Sequence, residues 1–343
     1  MYFLRRLFSV FTKCFYSRYD AFEVPMKILA VDDDAFILEI LTMTVARFDF
    51  PEVVTAHSGE RALSLLQSDD AGFDCFLLDI SMPGMDGIEL CSRIRQIERY
   101  SKTPIIMLTA MSEKDYIDRA FQAGATDYIG KPFDISEVGA RLRIAKELID
   151  ARRAYDVSHR SKKVSQAESA ESGLVDEVTI DSVENVVSQT ALGNYLKQVS
   201  QSEKARTQVL AAIITGFDRL QSRATSACFL AALTAVAEAI SAVFKPYGYM
   251  MAYAGAGRFL IVMHRPDLEP SIAAELEIQE YLDAKRLSFD DGGPMELEVS
   301  LGNPIKPVPS RTQGVWKSFQ RALGRAESRA EKRLADLRPV KLR

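Results

Sequence analysis

The chain has 343 residues, 47% of them hydrophobic and 26% charged, with 43 Lys and Arg against 47 Asp and Glu for a formal net charge of −4. That length exceeds one ordinary core and suits two domains, while the composition and near balance of charge imply neither bulk nucleic-acid binding nor wholesale disorder. The four cysteines, Cys14, Cys75, Cys91 and Cys228, form no CxxC pair and no His-Cys cluster that would hold zinc. Their scatter fits a reducing cytosol, and no uninterrupted apolar run is long enough to span a bilayer, so a cytoplasmic protein is expected.

Residues 1–25 form an N-terminal extension in which Phe3, Leu4, Leu7, Phe8, Phe11 and Phe15 recur at helical spacing among Arg5, Arg6, Lys13 and Arg18. This amphipathic pattern, strongest over 1–19, could lie on a membrane surface, but it lacks the h-region and cleavage site of a secretory signal. The plainer reading is a dispensable extension or a start codon placed too early, since Met26–Val31 already begins a buried strand.

From Met26 to Ala151, short apolar runs alternate with amphipathic stretches. The runs are Ile28–Val31, Val53–Ala56, Phe76–Leu78, Ile105–Leu108 and Tyr128–Ile129. Continuous rather than alternating hydrophobicity marks strands covered on both faces, so the spacing predicts a doubly wound α/β domain with a parallel sheet. Residues 152–182, rich in Ser, Lys and Glu, read as a linker. A second α/β domain spans 183–343, with strands at Leu210–Thr215, Phe259–Met263 and Glu296–Leu301 and helices at Phe229–Phe244 and Trp316–Leu337.

In a doubly wound sheet, ligands sit beyond the carboxyl ends of the strands. Asp32, Asp33 and Asp34 stand at the end of the first strand, Asp79 at the third, Thr109 at the fourth, and Lys131 just past the fifth. Gathered carboxylates repel one another unless a hard cation sits among them, so the cluster predicts Mg²⁺. A nucleophilic carboxylate, a metal, an ammonium and a hydroxyl are what phosphoryl transfer requires. Singly, each has a duller reading: Asp33 or Asp34 would cap the next helix, and Thr109 would be a turn residue. Four such groups at four strand ends outweigh it.

The segments ILAVDDD (28–34), FLLDISMPGMDG (76–87), IIMLTA (105–110) and DYIGKPF (127–133) resemble the signature segments of response-regulator receiver domains. The resemblance implies a flavodoxin-like (βα)₅ fold with Asp79 as phospho-acceptor, and Asp32, Asp33, Asp79 and the Ser81 backbone carbonyl as magnesium ligands. It further implies Lys131 as the cation, with a cis bond to Pro132, and Thr109 and Tyr128 as the coupled switch pair. The expected partners are a histidine kinase or phosphotransfer protein. The surface built by Ile117, Phe121, Tyr128 and the last helix would be re-faced on phosphorylation, and in similar proteins it mediates homodimerisation.

In the second domain, Val209–Leu220, Tyr253–Met263, Val299–Gly302 and Ala322–Lys332 follow the order and spacing of a GGDEF diguanylate cyclase domain, and the region resembles a degenerate, nucleotide-cyclase-like one. Gly257 and Arg258 stand where the two acids of the turn belong, and Gly216 replaces the first metal-holding Asp while Asp218 keeps the second. Ala224 replaces the guanine-pocket Asn, and the inhibitory RxxD site falls on Pro246 and Tyr249. No enzymatic activity is therefore expected, and the output would be interaction with a downstream protein. The alternatives are residual GTP or cyclic di-GMP binding with weak cyclase activity, or a DNA-binding regulator suggested by Arg321, Arg325, Arg329 and Arg333 spaced four apart on the terminal helix. A solvated helix face is the favoured reading of that stripe, over docking to nucleic acid or anionic lipid.

Overall fold

The computed structural model describes residues 26–48, 52–68, 72–110, 114–165, 180, 182–202, 206–264, 271–307 and 314–336. The amphipathic stretch at 1–25 lies outside the described residues.

Five strands, β1 (Lys27–Val31), β2 (Glu52–Ala56), β3 (Cys75–Asp79), β4 (Ile105–Thr109) and β5 (Asp127–Gly130), form one sheet in the order β2-β1-β3-β4-β5. Every pairing is parallel. Five helices connect or follow the strands: α1 (Ala35–Arg47), α2 (Gly59–Leu66), α3 (Gly87–Gln96), α4 (Lys114–Gln122) and α5 (Ile135–Ser165). Successive residues of a strand face opposite sides, and the two cores follow that alternation. Ile28, Ala30, Leu77, Ile106, Leu108 and Ile129 meet α1 and α5 through Leu38, Leu41, Val138 and Leu142. Leu29, Val31, Phe76, Leu78 and Met107 meet α2, α3 and α4 through Ala62, Leu90, Ile94 and Phe121. Burial of each such aliphatic side chain contributes roughly 1.5–3 kcal/mol, which is why both faces of the strands read as apolar.

The second sheet, of β6 (Gln208–Thr215), β7 (Tyr249–Tyr253), β8 (Arg258–Met263) and β9 (Glu298–Leu301), has the order β7-β8-β6-β9 and is antiparallel throughout. One face packs on α8 (Ser226–Phe244) and α9 (Ser271–Lys285), the other on α6 (Gln189–Ser202) and α10 (Gly314–Asp336). The short α7 (Phe217–Arg223) follows β6. By length and composition α8 is apolar enough to cross a bilayer, but here it is the central core helix, with Phe229, Leu233, Val236, Ile240 and Phe244 buried.

Two expectations need correction. The segment 152–165, read as linker, continues α5 as helix to Ser165. Polarity misled: Arg, Lys, Ala and Glu favour a helix, and after Gly139 no glycine or proline interrupts it. The strand Tyr249–Tyr253, which pairs with β8, was not among the strands expected from the sequence.

Candidate functional site

The carboxyl ends of β1, β3, β4 and β5 deliver four groups to one crevice. Asp32, which follows β1, is fully buried; its Oδ1 accepts the Asp34 amide at 3.0 Å and its Oδ2 lies 2.6 Å from Lys131 Nζ. Asp34 caps α1 by accepting the Phe36 amide at 2.8 Å, so the capping role falls to it and leaves Asp33 exposed at the mouth. Asp79, the last residue of β3, is buried; Oδ1 is 2.7 Å from Lys131 Nζ and Oδ2 accepts the Ser81 amide at 2.9 Å. Thr109 ends β4 fully buried, its carbonyl accepts the Lys131 amide at 2.6 Å, and its side chain is hydrogen-bonded to the Tyr128 hydroxyl. The bond between Lys131 and Pro132 is cis, as the resemblance implied.

Local sequence explains the close packing. A Cβ on Gly87 would lie 2.0 Å from the Asp79 carbonyl oxygen, so only glycine lets α3 begin against the end of β3. Beneath the floor, Asp127 and Arg141 form a buried pair at 2.8 Å. Burial raises the Asp127 pKa above the usual carboxylate range despite the guanidinium.

Burial likewise pushes the Asp32 carboxyl up, against the opposing pull of its Lys131 bond. Burial alone would lower Lys131, but its bonds to Asp32 and Asp79 more than offset this and its pKa is raised. The crevice therefore holds an ammonium clamped between two buried carboxylates, with a third alongside. Ligand oxygens of Asp32, Asp33 and Asp79 all lie within 4.8 Å of one another, the one such group of three among the described residues. Three carboxylates against one lysine leave uncompensated negative charge, and an all-oxygen donor set this close fits a divalent hard cation.

A family model for the response regulator receiver domain matches residues 28–143. Residues 28–143 are a response regulator receiver domain. The transcriptional regulatory protein ResD of Bacillus subtilis is 44% identical over 117 residues, which is 34% of this chain and 46% of the relative. The DNA-binding dual master transcriptional regulator RpaA of Synechocystis is 34% identical over 119 residues, 34% of this chain and 47% of the relative. The chain thus spans about half the length of the curated relatives it matches. Among solved structures, the chemotaxis protein CheY4 of Vibrio cholerae is 33% identical, covering 35% of this chain and 98% of that one, with a TM-score of 0.33.

Away from the receiver crevice, the second domain's candidate positions do not converge on metal chemistry. Gly216 sits in the left-handed region at φ 71° as the cap of α7, and Asp218 is exposed in that helix's first turn. Gly257 has φ 69°, and a Cβ there would lie 2.4 Å from the Phe217 ring. Arg258 donates to the Gly255 carbonyl at 3.2 Å and faces Glu327 at 3.9 Å. Ala224 ends α7, Pro246 lies in a short helical turn, and the buried Tyr249 donates its hydroxyl to the Glu184 carbonyl at 3.0 Å. Three of the four arginines of the basic stripe are also employed internally, contrary to the solvated face expected. Arg329 and Arg333 pair with buried Glu275 at 3.3 and 3.2 Å, and Arg325 donates to the Pro304 carbonyl at 2.7 Å.

Sequence reasoning missed the helix that covers the receiver surface built by Ile117, Phe121 and Tyr128. That helix is α6, through Leu192, Tyr195, Leu196 and Val199, which share one continuous core with Phe121, Ala125 and Tyr128. Their three-and-four spacing signals an amphipathic helix, but a sequence does not say what such a stripe will meet.

Proposed function

We propose that this chain is a cytoplasmic two-component response regulator whose Asp79 accepts a phosphoryl group from a histidine kinase or phosphotransfer protein, switching a second domain that acts by binding a partner protein. The observation that carries the reading is Lys131 Nζ lying 2.6 Å from Asp32 and 2.7 Å from Asp79 at the meeting of four strand ends. An oxygen of the Asp79 carboxylate attacks phosphorus as the bond to the donor nitrogen breaks. The Lys131 ammonium offsets the negative charge brought in with the phosphoryl group, and the Thr109 hydroxyl donates to one of its oxygens. Asp32, Asp33 and Asp79 would hold Mg²⁺, with the Ser81 carbonyl as the further ligand the resemblance implies; when bound, the ion neutralises charge on the phosphoryl oxygens. Drawing Thr109 toward the phosphoryl group disturbs its bond to Tyr128, and the Tyr128 surface responds as a population shift.

For the second domain we propose a degenerate GGDEF-like shell without cyclase activity. The element order β6-α7-α8-β7-β8-α9-β9-α10 and the tight turn at Gly255–Gly257 support the resemblance. Glycine at 216 and 257 and arginine at 258 support the loss of activity, since removing such metal ligands costs several kcal/mol of transition-state stabilisation. Acetyl phosphate with Mg²⁺ should yield one hydroxylamine-labile phosphate per chain, absent in Asp79→Asn, and GTP should give no cyclic di-GMP. A phosphate retained by Asp79→Asn overturns the first part of the reading, and cyclic di-GMP formation the second.

A second reading, DNA binding, is favoured by a cleft of about 590 Å³ lined by Arg321, Arg325, Arg329 and Lys332. Salt-sensitive retardation of random duplex DNA, weakened by Arg321→Ala with Lys332→Ala, would support it over the protein-partner output.

A further inference from the structure

A cleft of about 590 Å³ runs along α10, walled by Arg321, Arg325, Arg329 and Lys332 on one side and by Leu301 of β9 and Ile272 of α9 on the other. That is the size of a small-ligand site. Although the chain carries a formal net charge of −4, four cationic side chains line this cleft and no carboxylate does. Buried Glu275 holds Arg329 from behind at 3.3 Å, and the Pro304 carbonyl holds Arg325 at 2.7 Å, so two guanidinium groups are fixed before any ligand arrives. Even with the charge of Glu275 set against them, the cations are in excess. Arg321 and Lys332 are exposed and, among the described residues, neither has an acidic partner. The helix adds no side chain at Gly324, where a Cβ would meet no atom within 4 Å, so the floor between the arginines stays open. Beside the charges Ile272, 46% exposed, forms an apolar shelf in the first turn of α9.

We propose that this cleft binds a small organic polyphosphate, with its phosphoryl groups on Arg321, Arg325 and Lys332 and its apolar portion on Ile272. A guanidinium fork donates to two phosphoryl oxygens at once, and two of the forks are already oriented. A duplex suits the cleft less well. Its cations extend only about 16 Å along α10, from 321 to 332, and exposed Glu327 and Glu331 on the same helix would repel a longer polyanion. The site is separate from the turn at Gly255–Gly257, because β9 borders β6 on the side away from β8. It stands whether or not Asp79 accepts a phosphoryl group.

The test is calorimetric titration of the full chain with inorganic tripolyphosphate and with ATP, in magnesium-free, low-salt buffer that keeps the acidic receiver crevice out of the reading, alongside retardation of random duplex DNA. One tripolyphosphate or one ATP should bind per chain, each excluding the other. Arg321→Ala combined with Lys332→Ala should weaken both by about tenfold or more, with thermal unfolding unchanged because both side chains are exposed. Ile272→Ser should weaken ATP roughly three- to tenfold and spare tripolyphosphate, and Arg258→Ala should alter neither. No saturable binding of either anion, or binding that survives the double variant, overturns the proposal, as does an Ile272→Ser protein that binds ATP like the wild type. Retardation of DNA that is lost in the double variant, in a protein that binds neither small anion, also overturns it and gives the cleft to nucleic acid.

Discussion

In the receiver domain all strands run the same way, so the polar residues ending β1, β3, β4 and β5 fall at one edge of the sheet and meet. In the second domain the strands alternate in direction, and the comparable edge brings the end of β6 beside the start of β8. That edge offers a glycine cap, a three-residue left-handed turn at 255–257 and an arginine turned toward Glu327. Parallel topology concentrates charge that a cation or lysine must offset; among the described residues the antiparallel edge gathers no such cluster of carboxylates.

The sharpest way to break this comparison is Lys131→Met, which leaves Asp32 and Asp79 buried without their ammonium. Phosphorylation of Asp79 by acetyl phosphate should slow by about 10²-fold or more, whereas Arg258→Ala should leave it unchanged. Next come the buried ion pairs. Arg141→Met strands Asp127 and should cost about 3–5 kcal/mol in urea unfolding. Removing Arg329 should cost roughly 1 kcal/mol, because Arg333 still pairs with Glu275 and both arginines are partly exposed. A reversed order would mean that the second domain, not the first, depends on buried charge.

Gly257→Asp probes the turn. The left-handed backbone and the Phe217 ring should make it destabilising by roughly 2 kcal/mol, and combined with Arg258→Glu it should still produce no cyclic di-GMP from GTP.

The contact between the domains has a pH signature. Burial first and the nearby Lys114 second, opposed by Asp118, lower the His264 pKa to about 4. Because the folded value lies below that of an unfolded histidine, the contribution of neutral His264 is complete above about pH 6.5 and is lost as pH falls toward 4. The groups facing the ring are Tyr195, Thr207, Asp118 and Lys114. Loss of up to about 2 kcal/mol is expected over that window, and His264→Gln should flatten it in thermal unfolding. Smallest of all, Arg93→Ala removes a half-exposed pair with Glu89 and should change stability by less than about 0.5 kcal/mol.

Much of the receiver was legible because its signals are local. Buried parallel strands are apolar throughout, and Asp79, Thr109 and Lys131 stand directly at strand ends. Asp34 illustrates the limit, since only geometry assigns capping to it and leaves Asp33 at the crevice mouth. The partner of Asp127 lies fourteen residues on, at Arg141, and becomes visible only once α5 crosses the sheet. The apolar stripe of α6 is readable as a stripe, but Asn194 and Gln198 acquire meaning only against an edge strand some seventy residues away in sequence. The extension of α5 to Ser165 was hidden because a polar helix and a linker share the same composition.

Treating the acetyl phosphate-labelled protein with borohydride, which reduces an aspartyl phosphate to homoserine, and mapping the peptides by mass tests the phosphoryl-acceptor claim most directly. Homoserine at position 79, dependent on Mg²⁺ and absent from Asp79→Asn, is the predicted outcome. Homoserine at another aspartate, or an unmodified Asp79 in magnesium-replete protein, would contradict it.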